Sequence, residues 1–168
     1  EDFACSVVLV DSSVLVAAPV RYLVPGIGDA LSKMAEGAEC SAVGGANFYG
    51  GQQSLLGARI ASDCLDVVLA DANEALRAVE RGTPNAAFER LLEATILLSG
   101  LAFENGGLSV AHSLTRGTSA IPAIHAAGTL HGEEVAFGLL VQLKLEPERN
   151  CMLLTTLLDF YERVGLPR

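Results

Sequence analysis

Three side chains in this sequence are of types that together can hold a metal ion: Asp29 in PGIGDALSK, His112 in GGLSVAHSL and His131 in HGEEVAFG. One carboxylate and two imidazoles leave a fourth position open, the arrangement of a catalytic zinc with O and N ligands at ~2.0–2.2 Å. A substrate hydroxyl placed there becomes more acidic. Each residue also has an ordinary reading. Asp29 follows glycines at 26 and 28 and suits the first turn of a helix, where an acid gains ~0.3–1 kcal/mol from the dipole. His112, among Leu108, Val110, Ala111 and Leu114, suits a hydrogen-bonded core imidazole. His131 suits a polar residue at a helix start. The three lie far apart in the chain, so spacing alone leaves both readings open.

The elements that must position them read as helices. Of 168 residues, 51% are hydrophobic but only 5% aromatic, so Ala, Leu and Val supply the packing, which favours closely apposed helices. The length suits one domain of ~100–150 residues or slightly more. The run Val7-Val8-Leu9-Val10 predicts a strand over 7–10, which needs a partner to satisfy its backbone. A short turn is expected over 19–23, a break at Pro25-Gly26, and a new helix over 28–36. The glycine-rich stretch 37–51 predicts a loop with at most one helical turn. A long helix is expected over 52–81, closed by Gly82. Thr83-Pro84 is expected to cap and open a helix to about 102. Shorter helices are expected over 108–115 and 132–145, separated by a loop over 117–130. A final helix opens at Pro147 and ends at Gly165.

Charge narrows the partners. Twenty acidic and eleven basic residues give a net charge of −9, which disfavours nucleic acid and anionic membranes. No apolar run approaches the ~20 residues of a membrane span. The N-terminal EDFACSVVLVDSS lacks the positive flank of a signal peptide, so a cytoplasmic location is expected. Cys5, Cys40, Cys64 and Cys151 form no CxxC pair and are expected to be reduced thiols.

Four segments, VVLVDSSVLVAAPVRYLVPGIGDAL, ERLLEATILLSGLAFENGGLSVAH, HGEEVAFGLLVQL and ERVGLPR, resemble, in order, the glycerol dehydrogenases of the iron- and zinc-containing alcohol dehydrogenase superfamily. The resemblance covers nearly the whole chain. It implies a mostly α fold, the helical metal-binding domain of the dehydroquinate synthase-like architecture, with the strand over 7–10 belonging to an absent α/β domain. Residues 1–18 would then be strand and linker, and 19–168 the metal-binding domain, incomplete at its C-terminal end. The resemblance also implies metal ligation by Asp29, His112 and His131, and a place in the substrate pocket for Phe103. It implies oxidation of glycerol or a related 1,2-diol by NAD, with zinc as the metal and a homo-oligomeric assembly.

Three departures from that family are visible. No GGGxxxD phosphate loop is present, and Gly44-Gly45 and Gly50-Gly51 follow no strand, so NAD is expected to bind mainly elsewhere and this stretch alone to be inactive. Lys33 and Arg116 each lie four residues after a ligand candidate and could share its helix face. They suit either solvated side chains or an anionic substrate such as glycerol 1-phosphate. The loop over 118–130 keeps His125 as a group that could stand behind the ligands. A non-catalytic helical module is the remaining alternative.

Overall fold

The computed structural model describes residues 7–168, and they are mainly helical. The chain runs through α1 (Ser12–Leu15), α2 (Val20–Ala42), α3 (Leu55–Arg81) and α4 (Ala86–Leu92). A π-helical segment, Glu93–Leu98, leads directly into α5 (Ser99–Gly106). Then come α6 (Val110–Thr118), α7 (Pro122–Ala126), α8 (His131–Leu145) and α9 (Pro147–Val164). Cys5 lies outside the described residues. Cys40 and Cys64 are buried, Cys151 is exposed, and all three are free thiols.

Helix α2 is the axis of the fold, packed against α3, α5 and α8, while α6 lies along α8. It is one helix where two were expected. Pro25, buried in its second turn, removes one backbone hydrogen bond, at a cost of ~3 kcal/mol in a helix interior. Burial of Val24, Ile27 and Leu31 on the same helix returns roughly 1.5–3 kcal/mol each, so the helix carries on through the proline. The helix also runs on to Ala42, into the stretch expected to be a loop.

Helix α3 ends where expected and starts three residues later, at Leu55 rather than 52. Ser54 accepts a hydrogen bond from the Gly57 amide (3.0 Å) at its start, and Gly82 ends it at φ 62°. Its inner face of Ala61, Cys64, Leu65, Val68, Ala72 and Ala75 keeps helical spacing, and the alanines let α2 and α4 approach closely. The next cap falls two residues later than expected. Asn85, not Thr83, accepts from the Phe88 amide (2.8 Å). That helical run extends to Gly106 through the π segment, where the Thr95 hydroxyl donates to the Leu91 carbonyl (2.8 Å). The expected loop over 117–130 also contains α7.

The strand expected over 7–10 does not form. No strand occurs among the described residues, and Val7, Val8 and Leu9 are exposed. A β-branched run makes a ladder only beside another extended segment, and none is there. In the stretch expected to be a linker, Val16 is nonetheless buried in the core, just after α1.

Glycines bring three helices to backbone contact. A Cβ on Gly28 of α2 would lie 2.6 Å from the Gly132 carbonyl oxygen, and one on Gly132 of α8 only 1.9 Å from that of Pro25. A Cβ on Gly138, farther along α8, would lie 2.5 Å from the Ala111 oxygen of α6. Gly28 precedes Asp29, Gly132 follows His131, and Ala111 precedes His112. Each of the three metal-ligand candidates is therefore adjacent in sequence to a point where two backbones touch.

Candidate metal centre

That interlock converges the three side chains. One ligand atom from each of Asp29, His112 and His131 lies within 4.8 Å of the other two. Asp29 Oδ1 is 3.1 Å from His112 Nε2 and 3.9 Å from His131 Nε2. The imidazole rings are 5.5 Å apart, centroid to centroid. Asp29 stands in the middle of α2 rather than at a helix start, so the helix-dipole account of this acid does not apply. His131 is the first residue of α8. The entry of α8 is set by Glu133, whose side chain accepts from the Leu130 amide (2.8 Å) and pairs with Arg21.

The composition of the site goes beyond the three residues read from the sequence. Glu36 is fully buried, and its Oε2 meets His112 Nδ1 at 2.5 Å. Its Oε1 accepts the backbone amides of Ser109 and His112, both at 2.9 Å. One carboxylate thus holds both the start of α6 and the ring it carries, leaving His112 Nε2 turned toward Asp29. This is the carboxylate–histidine arrangement that orients metal-binding imidazoles. Glu36 was missed in the sequence, although 29, 33 and 36 share a helical face at i, i+4, i+7 spacing. Such acids usually face water, and only burial set this one apart.

Lys33 lies on that face as well and is 5% exposed. Its Nζ is 2.9 Å from Asp29 Oδ2, 3.2 Å from His112 Nε2 and 6.0 Å from the centre of the Phe103 ring. Phe103 in turn packs on Phe48 (5.3 Å between centroids), which meets Tyr49 edge-on. These rings form an aromatic wall beside the polar cluster. Arg116 and His125 are exposed, on α6 and α7, and take part in none of the contacts that join Asp29, Lys33, Glu36 and His112.

The electrostatics follow from burial and pairing. Burial alone would raise the Asp29 carboxyl, but the hydrogen bond with His112 and the Lys33 ammonium outweigh it and hold it at about 2. Glu36 behaves likewise: burial opposes its charge, and His112 with the two backbone amides lowers it below the usual range. Burial pushes His112 down, and the carboxylates of Asp29 and Glu36 more than reverse this. The cluster therefore keeps two ionised carboxylates around one imidazole. An anionic oxygen, two imidazole nitrogens and an oriented ring match the donor chemistry of a zinc-type divalent ion. The residues present fit such an ion. A cavity of about 510 Å³ lined by Met34, Glu39, Gln142 and Arg149 lies elsewhere, without any of the three donors.

Fold and site together define a helical domain built around a convergent Asp/His/His donor set. No protein-family model matches the chain. Curated proteins do. It is 43% identical over 142 residues to glycerol dehydrogenase 1 of Schizosaccharomyces pombe, covering 84% of this chain and 31% of that protein. It is 38% identical over 162 residues to the glycerol dehydrogenase of Citrobacter freundii, covering 95% of this chain and 43% of that one. Among solved structures, a probable glycerol dehydrogenase from Sinorhizobium meliloti 1021 superposes with a TM-score of 0.87 at 43% identity, over 94% of this chain and 43% of that one. The chain is a homologue of one helical part of the glycerol dehydrogenases and spans less than half the length of the relatives it matches. No helix among the described residues is long and apolar enough to cross a membrane.

Proposed function

We propose that the protein containing this chain oxidises glycerol, or a related 1,2-diol, with NAD and a zinc ion, forming dihydroxyacetone from glycerol. The observation that carries this reading is the convergence of Asp29, His112 and His131 within 4.8 Å, in a chain whose relatives are named glycerol dehydrogenases. These three residues would hold the ion and leave a place for a substrate hydroxyl. Once bound, zinc supplies the positive charge that acidifies that hydroxyl, and NAD accepts the hydride. Two imidazoles with one carboxylate, and no third imidazole, favour zinc over iron.

The chain's own residues do the positioning. Glu36 fixes the tilt and tautomer of His112, because the ring nitrogen facing it must carry the proton that the carboxylate accepts. Phe103, backed by Phe48, offers an apolar wall to the carbon chain of a small polyol. On this reading residues 19–168, with Val16 packed into their core, are the metal-binding domain. NAD is held mainly by other parts of the protein, so residues 1–168 alone neither bind it well nor turn over. The protein acts in the cytoplasm as a homo-oligomer.

An enzyme of a phosphorylated polyol such as glycerol 1-phosphate is supported by Lys33 alone, since Arg116 stands outside the cluster. The Lys33 ammonium is already paired with Asp29, which favours the uncharged polyol. A non-catalytic module would have no use for the complete donor set. Metal analysis of the full-length protein, with NADH formation on glycerol and on glycerol 1-phosphate, tests all three. Stoichiometric zinc and glycerol turnover, both lost in His112→Ala, are expected. An intact protein without stoichiometric metal would overturn the metal reading, and preference for the phosphorylated substrate would replace glycerol.

A further inference from the structure

We propose that Lys33 is an internal counter-ion of the metal-binding cluster, so that metal entry requires the lysine side chain to swing out. This rests on the metal site proposed above. The Lys33 ammonium sits 2.9 Å from Asp29 Oδ2 and 3.2 Å from His112 Nε2, while Asp29 Oδ1 is the oxygen that faces both imidazoles. It is also nearly buried, so its position is set by the fold rather than by chance at a surface. An ion held at ~2.0–2.2 Å would take the Nε2 lone pair and the Asp29 charge at once. The ammonium would then face a dication at close range, with only Asp29 Oδ2 left to it, in surroundings where water screens little.

The physical logic of the cluster supports this role. Asp29 and Glu36 place two carboxylates beside one imidazole, and an unneutralised pair would be costly to bury. Lys33 supplies a positive charge from within the same helix, one turn after Asp29. It has a weaker partner nearby, the face of Phe103 at 6.0 Å, toward which a displaced ammonium can turn. The displacement needs rotation about the flexible lysine stem, without loss of its proton. Lys33 therefore stabilises the metal-free protein and weakens its grip on the ion. It is a positioning residue, because it acts on the donors and not on the reacting atoms.

The test is the affinity of the metal-free full-length protein for Zn²⁺, measured by competition with a chromophoric chelator, in the native protein, Lys33→Met and Lys33→Gln. Methionine keeps the buried stem without charge, and glutamine keeps a hydrogen-bond donor, so the second decides if the first does not fold. Binding at least tenfold tighter in a folded variant is expected, with a lower melting temperature for its metal-free form and a larger gain in melting temperature on adding Zn²⁺. Zinc bound only by a variant would be the strongest support. Equal or weaker affinity in every folded variant would overturn the role of Lys33 and leave the metal site standing. No binding by native protein or variants would overturn the metal site and this role with it.

Discussion

The two histidines of the cluster are held in different ways. His112 is 13% exposed, its Nδ1 lies against the fully buried Glu36, and its backbone amide is tied to the same carboxylate. His131 is 61% exposed, and no hydrogen bond to its ring occurs among the described residues. What places His131 is the backbone beneath it: Gly132 packs against the Pro25 carbonyl so tightly that no side chain fits. One donor is oriented by a side-chain network and the other by helix packing. In the proposed metal site His112 would be the fixed donor and His131 the adjustable one.

That contrast can be broken from the side that should matter most. His112→Ala is expected to take zinc binding of the full-length protein below detection, while His131→Ala leaves weak binding measurable by calorimetry. Equal loss in both would mean that orientation of the free ring adds nothing. Glu36→Gln, which keeps the shape but not the charge, should weaken zinc affinity by ~10–100-fold with the fold intact by circular dichroism.

Gly132→Ala probes the backbone route. It should destabilise by about 1–3 kcal/mol, a drop in melting temperature of ~2–4 °C per kcal/mol for a domain of this size. Zinc affinity should fall as His131 is displaced. Unchanged stability would show that α2 and α8 can part at no cost. The smallest effects are expected at the exposed positions: Arg116→Ala and His125→Ala should stay within about 0.5 kcal/mol of the native stability, with unchanged zinc affinity. A clear loss of zinc affinity in either would bring that residue into the site.

Much of the helical order was legible beforehand, and the differences have identifiable causes. The ends of α3 and α9 were readable because their signals are local: an apolar stripe at helical spacing and a glycine at φ 62° or 81°. The break at Pro25 was misjudged because a proline's cost is local, whereas the burial of Val24, Ile27 and Leu31 that offsets it comes from the packing of α2 against other helices. The strand over 7–10 failed for the opposite reason. Its composition suits a ladder, but a ladder is a relation between two segments, and residues 7–168 contain only one candidate.

At the site, residue types and family-like motifs named Asp29, His112 and His131, and the net charge of −9 already disfavoured nucleic acid. The amino-acid sequence by itself determined those donors, the predominance of helix, and the glycines at 28, 132 and 138. Tertiary structure alone decided that the donors meet, that Glu36 is buried behind His112, and that Lys33 is held between Asp29 and His112 while Arg116 faces outward. The reason is physical: Lys33 and Arg116 share the same four-residue offset from a donor. What separates them is which face of α2 or α6 is covered by a neighbouring helix, and that follows from contacts between residues far apart in the chain.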